Sequence, residues 1–118
     1  MNGLDMSINL SFLSGRELAS VSVGLFQVTF GFDEGVSISI ESEYELWTPE
    51  SSCKWRRGAP DAAASALRLL GTVVERVSGK KDGTLELTFS NGHRLTILDS
   101  NREHESFHIT RPGGVIVV

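Results

Sequence analysis

The sequence predicts an α+β fold that is mainly antiparallel β: two similar β-meander repeats with one helix between them. Three observations carry that expectation. Apolar and polar residues alternate along much of the chain, as at Leu85, Leu87, Phe89 and again at Leu95, Ile97, the period of a strand with one buried face. Glycine-closed corners separate these runs at Asp33-Glu34-Gly35, Asp82-Gly83 and Ser90-Asn91-Gly92. The register of one hairpin also recurs about 57 residues away.

The register follows from which residues must share a face. A two-residue Asn91-Gly92 turn would set Phe89 opposite Arg94 and mix core with solvent positions. A three-residue loop, Ser90-Asn91-Gly92, sets Phe89 opposite His93, Leu87 opposite Leu95 and Leu85 opposite Ile97. Gly92 then closes a type I turn with a bulge, where glycine carries no side-chain penalty. In the first half, Asp33-Glu34-Gly35 likewise places Phe32 opposite Val36, Phe30 opposite Ile38 and Val28 opposite Ile40. Leu13-Ser14-Gly15 matches Leu69-Leu70-Gly71, and Glu45-Leu46-Trp47 resembles Glu105-Ser106-Phe107. The reading is an internal duplication in which neither half buries its apolar face alone.

The elements then fall in order. Alternation in SINLSFL suggests an opening strand, followed by strands at 16–23, 25–32, 36–42 and 44–48. Segment 49–59 carries proline, serine and glycine without a period and reads as a loop. Pro60-Asp61 suits a helix start, the alanines favour helix, and Gly71 suits the stop, so Asp61–Leu70 is the expected helix. Ala63, Ala66, Leu67 and Leu70 would form its buried face. Strands at 72–78, 84–89, 93–98 and 104–110 follow, with Val77 opposite Leu87. The final VIVV is apolar on both faces and needs cover from the sheet system or another subunit. The 118 residues suit a single domain, with pseudo-repeat halves at about 8–48 and 69–110 joined by a loop and helix at 49–70.

The stretch ALRLLGTVVERVSGKKDGTLELTFSNGHRLTIL resembles the second half of domain-of-unknown-function family 6188, a bacterial family. The shared features are Leu69 to Gly71, Asp82-Gly83, the alternation Leu85-Leu87-Phe89, and Gly92. Glu105-Ser106-Phe107 and Arg111-Pro112-Gly113-Gly114 resemble later family elements, with Phe107 in place of a tryptophan and Arg111 in place of a glycine. The resemblance implies a duplicated β protein of bacterial cytoplasmic origin and supplies no activity.

Composition narrows the function classes. Eleven basic against fifteen acidic residues leave a net charge of −4, which repels phosphate backbones and argues against nucleic-acid binding. No apolar run approaches the ~20 residues of a membrane span, and MNGLDMSINL does not read as a secretory signal. With Cys53 as the one cysteine, an intrachain disulfide and a cysteine-rich zinc site are ruled out. The expectation is a soluble cytoplasmic protein with no cofactor.

Candidate residues fall into two sets. Trp47, Lys54, Trp55, Arg56 and Arg57 concentrate both tryptophans and three cations, the residue types that anchor protein contacts. The competing reading is that one tryptophan pins the loop to the core while the arginines stay in water. His93, His104 and His108 with nearby glutamates are weak candidates for a metal or a small hydrolase site. On a strand, however, His104 and His108 sit about 13 Å apart, beyond one ion's reach. Glu41, Glu43 and Glu45 read as a solvated strand face. Cys53, near Lys54, Arg56 and Arg57, has no adjacent histidine to activate it. The expectation is a non-enzymatic interaction protein that pairs with another protein or with itself; the alternative is the small hydrolase or metal-dependent enzyme built on the histidines and a glutamate.

Overall fold

The computed structural model describes residues 9–99 and 106–118. Among the described residues ten strands form in chain order: β1 Leu18–Val23, β2 Val28–Phe32, β3 Ser37–Ile40, β4 Glu43–Trp47, β5 Ser52–Arg56, β6 Val74–Gly79, β7 Leu85–Phe89, β8 Arg94–Leu98, β9 Phe107–Arg111 and β10 Gly114–Val117. The fold is α+β with mainly antiparallel β content. The registers derived from alternation are observed: Val28 lies opposite Ile40 and Phe30 opposite Ile38, Leu85 opposite Ile97 and Leu87 opposite Leu95, and Val77 opposite Leu87. Phe30 and Leu87 are both fully buried, as an inward-facing row requires.

The strands form two five-stranded sheets, ordered β1-β2-β3-β9-β10 and β5-β4-β8-β7-β6. Advancing each strand number in the first order by five, with the count returning to β1 after β10, gives the second read from its other end. Three consecutive strands from one half of the chain are therefore completed by the last two strands of the other half. The joins are β3 to β9, with Ile40 opposite Phe107, and β8 to β4, with Ile97 opposite Tyr44. Phe107 thus takes the place held in the other sheet by Tyr44, not by Trp47, which lies three residues further along β4. Matching irregularities interrupt the register between Leu18 and Ser20 in β1 and between Val74 and Arg76 in β6.

The segments that lead into β1 and β6 touch. Glu17 and Val73 form an antiparallel bridge, flanked by paired hydrogen bonds. The Gly15 N–H donates to the Val74 carbonyl at 2.8 Å and the Val74 N–H to the Arg16 carbonyl at 2.9 Å. Their counterparts run from the Gly71 N–H to the Leu18 carbonyl and from the Leu18 N–H to the Thr72 carbonyl, each 2.9 Å. Gly15 and Gly71 adopt φ of 84° and 83°, a region that a side chain would strain.

The inner faces share one core. Phe30 from the first sheet meets Tyr44 from the second edge to face, with ring centroids 5.5 Å apart, and Tyr44 stacks on Trp55 at the same distance. These are the buried layers of a sandwich.

Three expectations need correction. Segment 49–59 is not all loop: Ser52–Arg56 forms β5, paired to β4 with Tyr44 opposite Trp55. The helix is a 3₁₀ helix, Pro60–Leu69. At 3.0 residues per turn, side chains three apart eclipse, so Ala63, Ala66 and Leu69 form the buried row while Leu67 and Leu70 stay exposed. Within the predicted opening strand, Ser11–Leu13 is a short 3₁₀ turn, and Ile8 lies outside the described residues. The VIVV run begins on β10 at a sheet edge, with Ile116 and Val118 buried and Val115 and Val117 exposed at 58% and 42%.

Candidate functional site

The five residues of the tryptophan and arginine set do not form one surface. The β4–β5 hairpin places Trp47 opposite Ser52 at one end and Glu43 opposite Arg56 at the other, about 13 Å apart along the strand. Trp55 points inward and is fully buried, so of the two readings of this set it follows the one in which a tryptophan pins the segment to the core. Lys54 and Arg56 face water, and Arg56 pairs with Glu43 at 3.3 Å. Trp47 is partly exposed, with the Arg94 guanidinium 5.0 Å over its ring.

Arg57 belongs to a different cluster, one the sequence reading missed. The β1–β2 hairpin closes at Val23 opposite Val28, with the Gly24 N–H donating to the Gln27 carbonyl at 2.7 Å. That leaves Leu25 and Phe26 at the tip, exposed at 55% and 53%. The turn after β5 holds this tip. The Gly58 N–H donates to the Leu25 carbonyl at 2.8 Å, and the Arg57 guanidinium lies 5.4 Å over the Phe26 ring. The run LFQVTFGF looked like continuous strand from residue 25; Gly24, a turn residue between two strands, was the available signal.

His93 and His108 do not come together. His93 stands at the β7–β8 corner, its Nδ1 3.2 Å from the Asn91 side-chain amide, while His108 lies in β9 of the other sheet, opposite Ser39 and Val117. His104, Glu103 and Glu105 lie outside the described residues. Among the described residues, no three histidine, cysteine, aspartate or glutamate side chains are grouped to hold a metal ion. Cys53 is half-buried and its thiol donates to the Ala62 carbonyl of the 3₁₀ helix at 3.5 Å. No helix among the described residues is long and apolar enough to cross a membrane.

A family model described as a family of unknown function, DUF6188, matches residues 10–118. The chain belongs to that family. Comparisons with curated proteins and with solved structures find no match. DUF6188 membership therefore supports the second-half resemblance and extends it to nearly the whole chain.

One buried pair gives this DUF6188 core a pH-sensitive feature. The Tyr44 hydroxyl and the Trp55 indole nitrogen are buried without a hydrogen-bond partner among the described residues. Burial first, and the nearby Cys53 charge second, push the Tyr44 phenol well above its ordinary pKa of 10.0. An unfolded chain releases this proton near pH 10.0, whereas the folded chain keeps it. The associated stability is therefore complete below that pH and is lost as pH rises beyond it. Tyr44 is the only tyrosine, so tyrosinate absorbance reports on it alone. The expected result is that absorbance rises only together with alkaline unfolding, and that Tyr44→Phe flattens the alkaline loss of stability. Ionisation near pH 10.0 in a still-folded protein would contradict the burial argument.

Proposed function

We propose that this DUF6188 protein is a non-enzymatic interaction module that docks a protein partner on the Leu25-Phe26 tip beside Arg57. One observation carries the reading: the fold does not require an apolar tip at this corner. The corresponding corner of the other sheet, between β6 and β7, is Lys80-Lys81-Asp82-Gly83, where Gly83 adopts a φ of 94°. Short hairpin turns ordinarily favour glycine, asparagine and aspartate. An exposed leucine–phenylalanine pair held in place by a hydrogen bond and a guanidinium is preorganised apolar surface. Burying each side chain against a partner contributes about 1.5–3 kcal/mol, and Arg57 supplies a cation at the rim. The matched order of the two sheets also supports reading the chain as a copied unit, with function placed where the copies differ.

The test replaces Leu25 and Phe26 with serine, against Lys80→Ser as a control. Both proteins are expected to melt within a few degrees of wild type. Affinity capture from cells of the source organism should lose its specific partner only with the tip variant. A partner retained by the Leu25→Ser, Phe26→Ser protein would overturn the reading.

A second reading, self-association, is favoured by β10. This edge strand carries no charged residue, and its outward positions are Val115 and Val117, whereas the edge strand β5 presents Lys54 and Arg56. Charge on an edge strand deters pairing. Sedimentation of the wild-type chain should show a concentration-dependent dimer that Val115→Lys abolishes. A monomer at all concentrations, or a dimer indifferent to Val115→Lys, would refute pairing along β10.

A further inference from the structure

At the far end of the first sheet from the apolar tip, three loops enclose an open groove of about 660 Å³. The β9–β10 turn supplies Arg111 and Pro112, the β2–β3 corner supplies Glu34 and Val36, and the segment before β1 supplies Phe12 and Arg16. Two features of this groove concern charge. Arg16 is committed to Asp33, with Nη1 3.6 Å from the carboxylate. Arg111 and Glu34 are not committed to each other or to another ion pair among the described residues; the Arg111 guanidinium lies 4.8 Å over the Phe12 ring. The groove therefore presents one available cation and one available anion beside an apolar wall of Phe12, Val36 and Pro112.

A third feature is conformational. Glu34 has a φ of 58°, the one positive value outside glycine among the described residues. A bulky residue in the left-handed region is strained, and such strain collects at functional sites. The corresponding corner of the other sheet, Ser90-Asn91-Gly92, places only its glycine in that region. Closing the hairpin therefore does not by itself demand a glutamate there.

We propose that the groove binds a free apolar α-amino acid. Arg111 offers the planar fork that matches a carboxylate, Glu34 accepts the ammonium, and Phe12, Val36 and Pro112 take the side chain. Pairing both charges avoids the desolvation cost of leaving either end of the zwitterion unmatched. A volume of this size lies in the range of small-molecule sites.

The test titrates the full chain with leucine and phenylalanine by calorimetry, alongside N-acetyl-leucine, which lacks the ammonium, and leucinamide, which lacks the carboxylate. Saturable binding of at least one free amino acid is expected, weakened about tenfold or more by Arg111→Gln and by Glu34→Gln. Glu34 lies in a corner and Arg111 at the end of β9, and unchanged melting curves would confirm that the variants fold. Glu34→Asn, which suits the left-handed backbone, should raise the melting temperature while still weakening binding. No saturable binding, binding indifferent to both substitutions, or N-acetyl-leucine or leucinamide binding as tightly as leucine would each overturn the proposal.

Discussion

The structure depends on one constraint: neither half of the chain can complete a sheet from its own strands. Each three-stranded meander ends at a strand whose free side is filled by β9 or β4 from the other half. The apolar rows continue across those joins, from Ile38 and Ile40 to Ile109 and Phe107, and from Leu95 and Ile97 to Leu46 and Tyr44. The bridge at Glu17 and Val73 ties the starting edges of the two sheets together. Hydrophobic burial across the sandwich and backbone pairing across the joins therefore depend on each other.

This architecture leaves the corners free to differ. The sheets match in order, in register and even in the position of the irregularity in their first strands. The residues carried at their corners differ. One hairpin tip is Leu25-Phe26 where its counterpart is lysine-rich. One turn sets Arg111 over Phe12, whereas Trp47 at the end of β4 receives Arg94 from β8. The shared features serve the core, and the differences fall on exposed loops carried by a rigid scaffold, where recognition is commonly placed.

Much of this was legible in the sequence because side-chain alternation is a direct consequence of the pleat. Phe30, Ile38, Leu87 and Leu95 could be paired by asking which register keeps the apolar rows together. The exchange of strands between halves was not legible, because alternation tells which residues share a face and not which strand lies alongside. β5 escaped notice because Ser52–Arg56 carries just one large apolar residue, Trp55, among polar and charged neighbours. The sequence left two places open for that same residue, since a tryptophan flanked by cations looks the same whether it meets a partner or the core; burial decides for the core. The alanines gave the helix but not its pitch. Ala63, Ala66 and Leu69 are consistent with three residues per turn, yet Leu67 and Leu70 offered an equally good α-helical stripe.

Native-state hydrogen exchange across a denaturant series measures the central constraint most directly, because it reports the opening free energy of each amide. If each sheet needs both halves, the most protected amides of β2, β3 and β9 should share one opening free energy with those of β4, β7 and β8, equal to that of global unfolding. A first sheet that opens while the second stays closed, or a meander that stays protected after its partner strands have exchanged, would contradict it.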